Sequence, residues 1–168
     1  MVTIDDSTQR EATPTEPGAR PRVRRAVRDD LPAILHLLAD DRLGSTRDVP
    51  HVDERYLAAF AAIDADPHQL LLVLDDGEVI GCLQLTFIPG LSFHGGWRGQ
   101  VEAVRIAASR RGGGLGRVMM DAAIAECRRR GCRLVQLTTN KQRTDAQRFY
   151  RSLGFLDSHE GMKLQLPE

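Results

Sequence analysis

The chain has 168 residues, of which 42% are hydrophobic and 27% charged, as expected for one globular domain with a single core. Its 23 basic and 23 acidic residues cancel, whereas proteins that bind nucleic-acid phosphates usually carry a basic excess. No run of 18 apolar residues occurs, so no membrane span is expected. We therefore predict neither a nucleic-acid nor a membrane partner.

The two ends of the chain differ in composition. Residues 1–21 are rich in Thr, Pro, Glu, Asp and Gly, which predicts a disordered tail, because such a segment buries too little apolar surface to offset its ordering entropy. Residues 22–168 are predicted to form a single domain. Cys82, Cys127 and Cys132 form neither a CxxC pair nor a secreted framework. With no apolar signal core at the N-terminus, they favour a cytoplasmic location.

The first half of the domain predicts a strand, two helices and a hairpin. Val23–Arg28 is a strand candidate, and Asp30 is placed to cap a helix with Leu31, Ile34, Leu35 and Leu38 at helical spacing. Residues 53–64 predict a second helix. Two apolar runs flank Asp75-Asp76-Gly77-Glu78, and Asp-Gly between such runs is a strong hairpin signal. The runs are Leu70–Leu74 and Val79–Ile88.

The second half alternates strands and helices. A glycine-rich loop over 89–99 leads to a strand at 100–107, and a helix from Leu115 ends at Gly131. A strand at 133–139 follows. Thr144-Asp145-Ala146-Gln147 fits a capping box before a helix that Gly154 closes. Phe155–His159 and Met162–Leu166 are predicted to form a last strand pair. The order of elements predicts one layered α/β (α+β) domain.

A glycine run between a strand and a helix is the most informative feature. Four glycines lie within the five positions from Gly112 to Gly116. Without Cβ atoms such a loop can turn its N–H groups toward one point, and the following helix adds the positive end of its dipole. Arg110, Arg111 and Arg117 can add charge-assisted bonds. We interpret the run as an anion site rather than a flexible surface turn.

Two common phosphate motifs do not fit this run. The P-loop needs a Lys-Ser/Thr pair after its last glycine, and Gly116 is followed by Arg117-Val118. A dinucleotide fold places its glycine turn after the first strand of a βαβ unit. In this chain, three or four predicted strands precede the glycine run.

Two segments resemble the GNAT superfamily of acyl-CoA N-acetyltransferases. Arg111-Gly112-Gly113-Gly114-Leu115-Gly116 matches R-x-x-G-x-G, the pyrophosphate motif of that family. Phe149-Tyr150-Arg151-Ser152-Leu153-Gly154-Phe155 resembles its F-Y-x-x-L-G-F segment. The resemblance covers about residues 23–166. The stretch from Thr138 to Tyr150, with Ser158-His159, is similar to the branch that contains aminoalkylphosphonate N-acetyltransferases. Many members carry Asn seven residues before the helix Tyr, where this chain has Arg143.

The resemblance implies a mixed, splayed sheet of six to seven strands flanked by about four helices. The splay would lie between the strands at 100–107 and 133–139 and would expose backbone groups to pantetheine. The implied acetyl-CoA contacts are Val104, Ile106, Ala107, Arg111, Gly112, Gly113, Gly114, Leu115, Gly116, Arg117 and Asn140. Homodimers are common in the family, so a homodimer is an expectation for this chain.

Tyr150 is the first candidate catalytic residue. It lies on the apolar stripe of its helix, and packing alone would explain it if a backbone group satisfied its hydroxyl. In the family the matching tyrosine protonates the departing thiolate. The chemistry favours a donor there, because a thiol of pKa about 8.5 leaves better when it is protonated.

Glu102 is the second candidate catalytic residue, because a carboxylate within a strand of Val, Ala and Ile needs a reason. Strand alternation predicts that it shares a face with Val104 and Ile106. In the family an acidic residue here often acts as general base, frequently through water. The alternative is a salt bridge to Arg105 or Arg98.

Other polar residues leave their roles open. His94 and His159 are candidate bases or anion contacts, or are structural. Trp97 either lines an acceptor pocket or covers the sheet. No set of residues has convincing zinc spacing, so we predict no metal-ligating residues, and the resemblance leaves open whether a loosely bound divalent cation takes part.

We expect direct acetyl transfer from acetyl-CoA to the primary amine of a small molecule. The alternatives are acetylation of a protein N-terminus or lysine, and a non-catalytic acyl-CoA-binding module.

Overall fold

The fold is described from a computed structural model, which covers residue 4 and residues 21–40 and 50–166. Most of the predicted tail, residues 1–21, lies outside the described residues, and so does much of the loop after the first helix. Ile4 is half-buried and packs against the core.

The described chain contains five strands and five helices. The strands are β1 (Arg22–Arg25), β2 (Gln69–Asp75), β3 (Val79–Ile88), β4 (Trp97–Ile106) and β5 (Cys132–Leu137). The helices are α1 (Leu31–Ala39), α2 (Glu54–Ala65), the short α3 (Ser92–Gly95), α4 (Leu115–Arg129) and α5 (Thr144–Ser152).

The strands form one sheet in the order β1-β2-β3-β4-β5. All neighbours pair antiparallel except β4 and β5, which are parallel. The predicted hairpin between β2 and β3 is confirmed. Gly77 has a φ of 83°, and its N–H donates to Oδ1 of Asp75 over 3.0 Å. The mixed α/β class is therefore confirmed.

Helices cover both faces of the sheet. Leu72, Leu83 and Val101 belong to a core cluster with Met119 and Ala123 of α4. Val73 and Cys82, which point the other way, pack against Ile34 and Leu37 of α1. Alternate residues of β2 are therefore buried on opposite faces, which explains the unbroken apolar run in that strand.

The strand β4 begins at Trp97, three residues before the predicted start. Gly99 is part of the strand rather than of the predicted glycine-rich loop. A Cβ at Gly99 would lie 2.4 Å from Sγ of Cys127, so the missing side chain lets β4 pack closely against α4.

The predicted last strand pair is wrong, and the described sheet has five strands instead of six to seven. Residues 155–166 are irregular. The alternation of Met162, Leu164 and Leu166 is typical of a strand, yet these side chains are 96%, 87% and 79% exposed. A strand needs a neighbour for its backbone groups. The backbone bonds that these residues donate within the described chain are local, from Phe155 to Tyr150 and from Ser158 to Leu156.

The capping box predicted at α5 is also wrong. Thr144 is the first residue of the helix, and Arg143 precedes it. The side-chain amide of Gln147 instead donates to the carbonyl oxygen of Lys141 over 3.0 Å. This bond connects the helix to the preceding loop.

Candidate active site

The glycine run forms an open cradle at the start of α4. Gly112 and Gly114 adopt φ values of 85° and 78°, which a residue with a Cβ adopts at a cost. A Cβ at either position would meet no atom within 4 Å, so the loop faces open space. Among the described hydrogen bonds, none is donated by the backbone N–H groups of residues 112–116. Unpaired donors at a helix N-terminus suit an anion.

Gly116 has a second role in packing. A Cβ there would lie 3.3 Å from Cζ of Phe149. The glycine therefore lets the start of α4, including Leu115, approach the helix that carries Tyr150.

The arginines around the cradle are anchored to the fold. Arg110 pairs with Asp76 in the hairpin. Arg111 donates from Nε to the carbonyl oxygen of Ile106 over 3.0 Å, and Arg117 donates to the carbonyl oxygen of Ser152 over 3.2 Å. Both Arg111 and Arg117 are exposed and flank the glycine run in the chain.

The two parallel strands separate halfway along β4. Their pairing runs from Trp97 with Cys132 to Val101 with Leu137, and no pairing is found beyond that point in the described residues. Immediately after it, Ala103 has a φ of 53°, a strained value for a residue with a Cβ. The register of β4 against β3 shifts at the same place. The sheet is therefore splayed between the two strands named from the sequence.

The distortion at Ala103 corrects the predicted alternation. Glu102 is exposed, whereas Val104 and Ile106 are half-buried and pack against the α4 side of the core. They do not share a face with Glu102, because the irregular residue between them reverses the pattern.

Two backbone groups near the end of β4 already have hydrogen-bond partners. The Ala107 N–H donates to Ile80 over 2.9 Å, and the Val104 carbonyl oxygen accepts from Arg105 over 2.9 Å. The Ala107 N–H is therefore engaged in this arrangement, whereas the carbonyl oxygen of Val104 keeps a second lone pair.

Tyr150 lies within an aromatic cluster at the end of α5. Its ring centroid is 5.2 Å from that of Phe149 and 5.9 Å from that of Phe155. Burial raises the pKa of the Tyr150 phenol, and the positive charges of Arg105 and Arg143 oppose this effect. The phenol is therefore protonated at neutral pH and can donate. No described hydrogen bond involves its hydroxyl, so packing with a backbone partner does not account for it.

Glu102 belongs to a polar strip on the sheet face opposite α4. Because Gly99 and Val101 face α4, the alternate residues Arg98, Gln100 and Glu102 face the other side. Gln136 on β5 donates to Oε1 of Gln100 over 2.8 Å. Neither salt bridge considered for Glu102 occurs among the described ion pairs.

The remaining candidates make mainly local contacts, although Trp97 and His159 line the same pocket. Asn140 accepts at Oδ1 from the N–H of Gln142 over 2.8 Å, so its side chain shapes the loop before α5. Trp97 stacks on His68 at 5.3 Å. His94 is exposed with a φ of 56°, and His159 bonds Ser158 over 2.8 Å.

Two features of the site were missed from the sequence. An alanine at the distorted position gave no signal, because its neighbours allow a regular strand. The polar strip did leave a signal in the sequence. Gln84 and Thr86 on β3 alternate with apolar residues, as Gln100 and Glu102 do on β4. Both β3 side chains bond Oε1 of Gln69, at 3.1 and 3.0 Å.

The described residues form neither a metal-binding cluster nor a membrane-spanning helix. Residues 4, 21–40 and 50–166 contain no group of three or more His, Cys, Asp or Glu side chains placed to hold a metal ion. Their helices are all too short or too polar to cross a bilayer.

A splayed parallel strand pair, followed by a glycine cradle at a helix start, is the arrangement of an acyl-CoA-dependent acyltransferase fold. The family model described as "Acetyltransferase (GNAT) family" matches residues 31–155, and the chain belongs to that family.

Known proteins support the same assignment. The chain is 36% identical over 101 residues to an aminoalkylphosphonate N-acetyltransferase of Salmonella typhimurium strain LT2, a match that covers 60% of this chain and 65% of that relative. The crystal structure of a transcriptional regulator from Bacillus halodurans C-125 superposes with a TM-score of 0.85 at 42% identity, over 88% of this chain and 100% of that one. A Trypanosoma brucei acetyltransferase gives a TM-score of 0.73 at 25% identity, over 88% and 100%.

Proposed function

We propose that the protein transfers an acetyl group from acetyl-CoA to the primary amine of a small molecule, by direct attack in a ternary complex. The observation that carries this proposal is the splay after Val101 and Leu137, which opens the end of β4 that leads along the chain to the glycine cradle. The family membership and the printed activity of the Salmonella relative support it.

The backbone N–H groups of residues 112–116 bind the diphosphate of acetyl-CoA, with Arg111 and Arg117 at its rim. The open cradle fits that group, since nothing lies within 4 Å of a Cβ at Gly112 or Gly114. The separated edge of β4 near Val104, Ile106 and Ala107 accommodates pantetheine. Asn140, which shapes the loop after β5, contributes through the backbone of that loop, because its side chain is engaged.

Glu102 acts on the acceptor amine, and Tyr150 acts on the departing thiolate. The amine arrives as an ammonium, and Glu102, directly or through water, accepts its proton. The free amine attacks the thioester carbonyl, whose developing negative charge is stabilised by a backbone N–H near Ile106. Tyr150 then gives its proton to the departing thiolate. Burial raises the pKa of the Tyr150 phenol, so it is protonated at neutral pH, and the proton that the attacking nitrogen loses as the amide forms restores the phenol after the transfer.

Other functions predict different measurements. A protein N-terminal or lysine acetyltransferase would acetylate peptides. A non-catalytic acyl-CoA-binding module would bind acetyl-CoA without turnover. The Bacillus halodurans relative is described as a transcriptional regulator, yet the net charge of zero in this chain does not favour DNA binding. Strongly salt-dependent DNA binding would support that role instead.

We also propose that the protein is located in the cytoplasm and that it forms a homodimer. The cysteines are free thiols, as in a reducing compartment. The outer edge of β5 has no strand partner in the described sheet, and the exposed Met162, Leu164 and Leu166 have strand alternation. An unpaired sheet edge and an exposed apolar segment in each copy favour association. Light scattering of the purified full chain tests the oligomeric state.

The experiment that tests the activity is a thiol-release assay with acetyl-CoA against a panel of amines and peptides. We expect turnover with small primary amines. Turnover only with peptides, or acetyl-CoA binding without turnover of any amine, would contradict the proposal.

A further inference from the structure

A pocket lies at the start of β4 and β5, far from the glycine cradle. Its volume is about 140 Å³, and its polar lining comes from Ser92, Arg98, Arg133, Gln136 and His159. Arg98 and the cradle lie at opposite ends of β4. The eight residue-to-residue steps from Arg98 to Ile106 span roughly 26 Å at about 3.3 Å each. The pocket is therefore separate from the diphosphate site.

The lining of this pocket carries positive charge and no carboxylate. Two arginines and a histidine face it, and none of its ten lining residues is acidic. Neither Arg98 nor Arg133 takes part in an ion pair with a described residue. The Nε atom of Arg98 is buried and has no hydrogen-bond partner in the described structure.

Two other arginines share a buried Nε that makes no hydrogen bond in the described structure, but each makes another bond: Arg22 pairs with Asp75, and Arg105 donates to the carbonyl oxygen of Val104. Arg24, Arg110 and Arg130 pair with Asp30, Asp76 and Glu126. A buried guanidinium donor without a partner is unfavourable unless something supplies an acceptor. Arg98 differs from these arginines because its guanidinium makes no hydrogen bond or ion pair with a described residue although it lines the pocket, so the structure favours an oxyanion in the pocket as its partner.

The position of the pocket connects it to the acceptor amine. Arg98, Gln100 and Glu102 leave the same face of β4, and the Gln136 to Gln100 bond forms the surface between the ends of this row. The Cα atoms of Arg98 and Glu102 are about 13 Å apart. Because both side chains are long, the distance between their charged groups can be shorter than this. A molecule with an amine at Glu102 can place its other end at Arg98.

We infer that Arg98 and Arg133, with His159, bind a phosphonate or phosphate group carried by the acceptor amine, and that they set the specificity of the enzyme. Guanidinium groups bind such tetrahedral oxyanions through paired charge-assisted hydrogen bonds. The inference rests on the proposed function, because it takes Glu102 as the place of the amine. It adds the residues that recognise the rest of the substrate.

The first experiment compares two acceptors, 2-aminoethylphosphonate and the neutral propylamine, with the wild type and the Arg98→Gln variant. We expect the wild type to prefer the phosphonate. We expect Arg98→Gln to lower kcat/KM for the phosphonate about 10- to 100-fold, as for a lost hydrogen bond to a charged group. Its kcat/KM for propylamine and its KM for acetyl-CoA should stay unchanged. Arg128→Gln, on the exposed side of α4, is the matched control and should change neither.

A second measurement does not depend on turnover. Binding of methylphosphonate, followed by phosphorus NMR line broadening, should be detectable with the wild type and weaker with Arg98→Gln. Binding without turnover of any amine would leave the anion site standing and contradict the proposed function. Equal turnover of both amines by the wild type, or an equal loss for both in Arg98→Gln, would overturn the inference. So would a preference for 3-aminopropanoate over the phosphonate.

Discussion

A Cβ on Gly99 would stand 2.4 Å from the Sγ atom of Cys127, so β4 and α4 are in contact at a point with no room for a methyl group. We expect Gly99→Ala to lower the free energy of unfolding by about 1–3 kcal/mol, as overpacking does. In the double variant Gly99→Ala/Cys127→Ala the nearest atom is Cβ of residue 127, at an ordinary 3.5 Å. Urea denaturation should therefore show a smaller loss than the sum of the two single variants. Strictly additive losses would contradict this account of the contact.

The glycine cradle allows a comparison between two glycines with the same backbone conformation. Gly114 and Gly77 have φ values of 78° and 83°, and a Cβ at either meets nothing within 4 Å. An alanine at either position should cost about 1–2 kcal/mol of stability through backbone strain. Only Gly114→Ala, at the start of α4, should also raise the KM for acetyl-CoA. The control Gly77→Ala, in the hairpin, should leave it unchanged. An equal acetyl-CoA affinity in the two variants by calorimetry would remove the cradle from the binding site.

Local rules were sufficient for most of the fold. Asp76-Gly77 marked the hairpin, Gly131 marked the end of α4, and the apolar stripes marked the helices. These signals are local because each depends on the conformation or the spacing of a few neighbouring residues. The C-terminal residues 155–166 differ, since their alternation predicts a strand but cannot show whether a neighbouring strand is present.

The candidate site was predictable only in part. The glycine run, Tyr150 and Glu102 stood out from the sequence, because a helix start and a polar residue in an apolar element have local signatures. The strained conformation of Ala103 depends on how β3 and β4 shift register, which is a long-range contact. The orphaned Nε of Arg98 is likewise visible only when the lining of its pocket is known.

The cysteines should take no part in acyl transfer. Burial raises the pKa of the Cys82 and Cys127 thiols to about 12, so roughly one in ten thousand is a thiolate at pH 8. A Cys82→Ala/Cys127→Ala/Cys132→Ala variant that folds should retain most of the wild-type kcat. Initial-rate kinetics of the wild type should show a ternary complex rather than a ping-pong pattern. An acetylated cysteine in the intact-mass spectrum after incubation with acetyl-CoA would contradict direct transfer.

Glu102→Gln should lower kcat/KM at pH 7 by about 10²-fold, as expected for the loss of a general base. The loss should shrink as the pH rises toward the pKa of an alkylamine, about 10.4 for lysine, because the substrate then loses its proton to solvent. The control Glu54→Gln changes an exposed carboxylate at the start of α2 and should show wild-type kinetics. A loss of equal size at every pH would instead assign Glu102 to substrate binding.

Tyr150 is predicted to act through its hydroxyl alone. Tyr150→Phe keeps the ring that contacts Phe149 and Phe155, so the free energy of unfolding should change little. If the hydroxyl protonates the thiolate, kcat should fall by about 10²- to 10⁴-fold while the affinity for acetyl-CoA stays nearly constant. The control Tyr56→Phe, on α2, removes the hydroxyl of the other tyrosine and should leave kcat unchanged.

A second substrate separates general acid catalysis from an indirect effect of Tyr150→Phe. An acetyl thioester whose thiol has a lower pKa needs less help to leave, so the defect of the variant should be smaller with it than with acetyl-CoA. A defect of the same size with both thioesters would mean that the hydroxyl positions the substrate. A wild-type kcat for the variant with acetyl-CoA would reduce Tyr150 to a packing residue, because the raised pKa of its phenol would then reflect burial among Phe149 and Phe155 without a role in proton transfer.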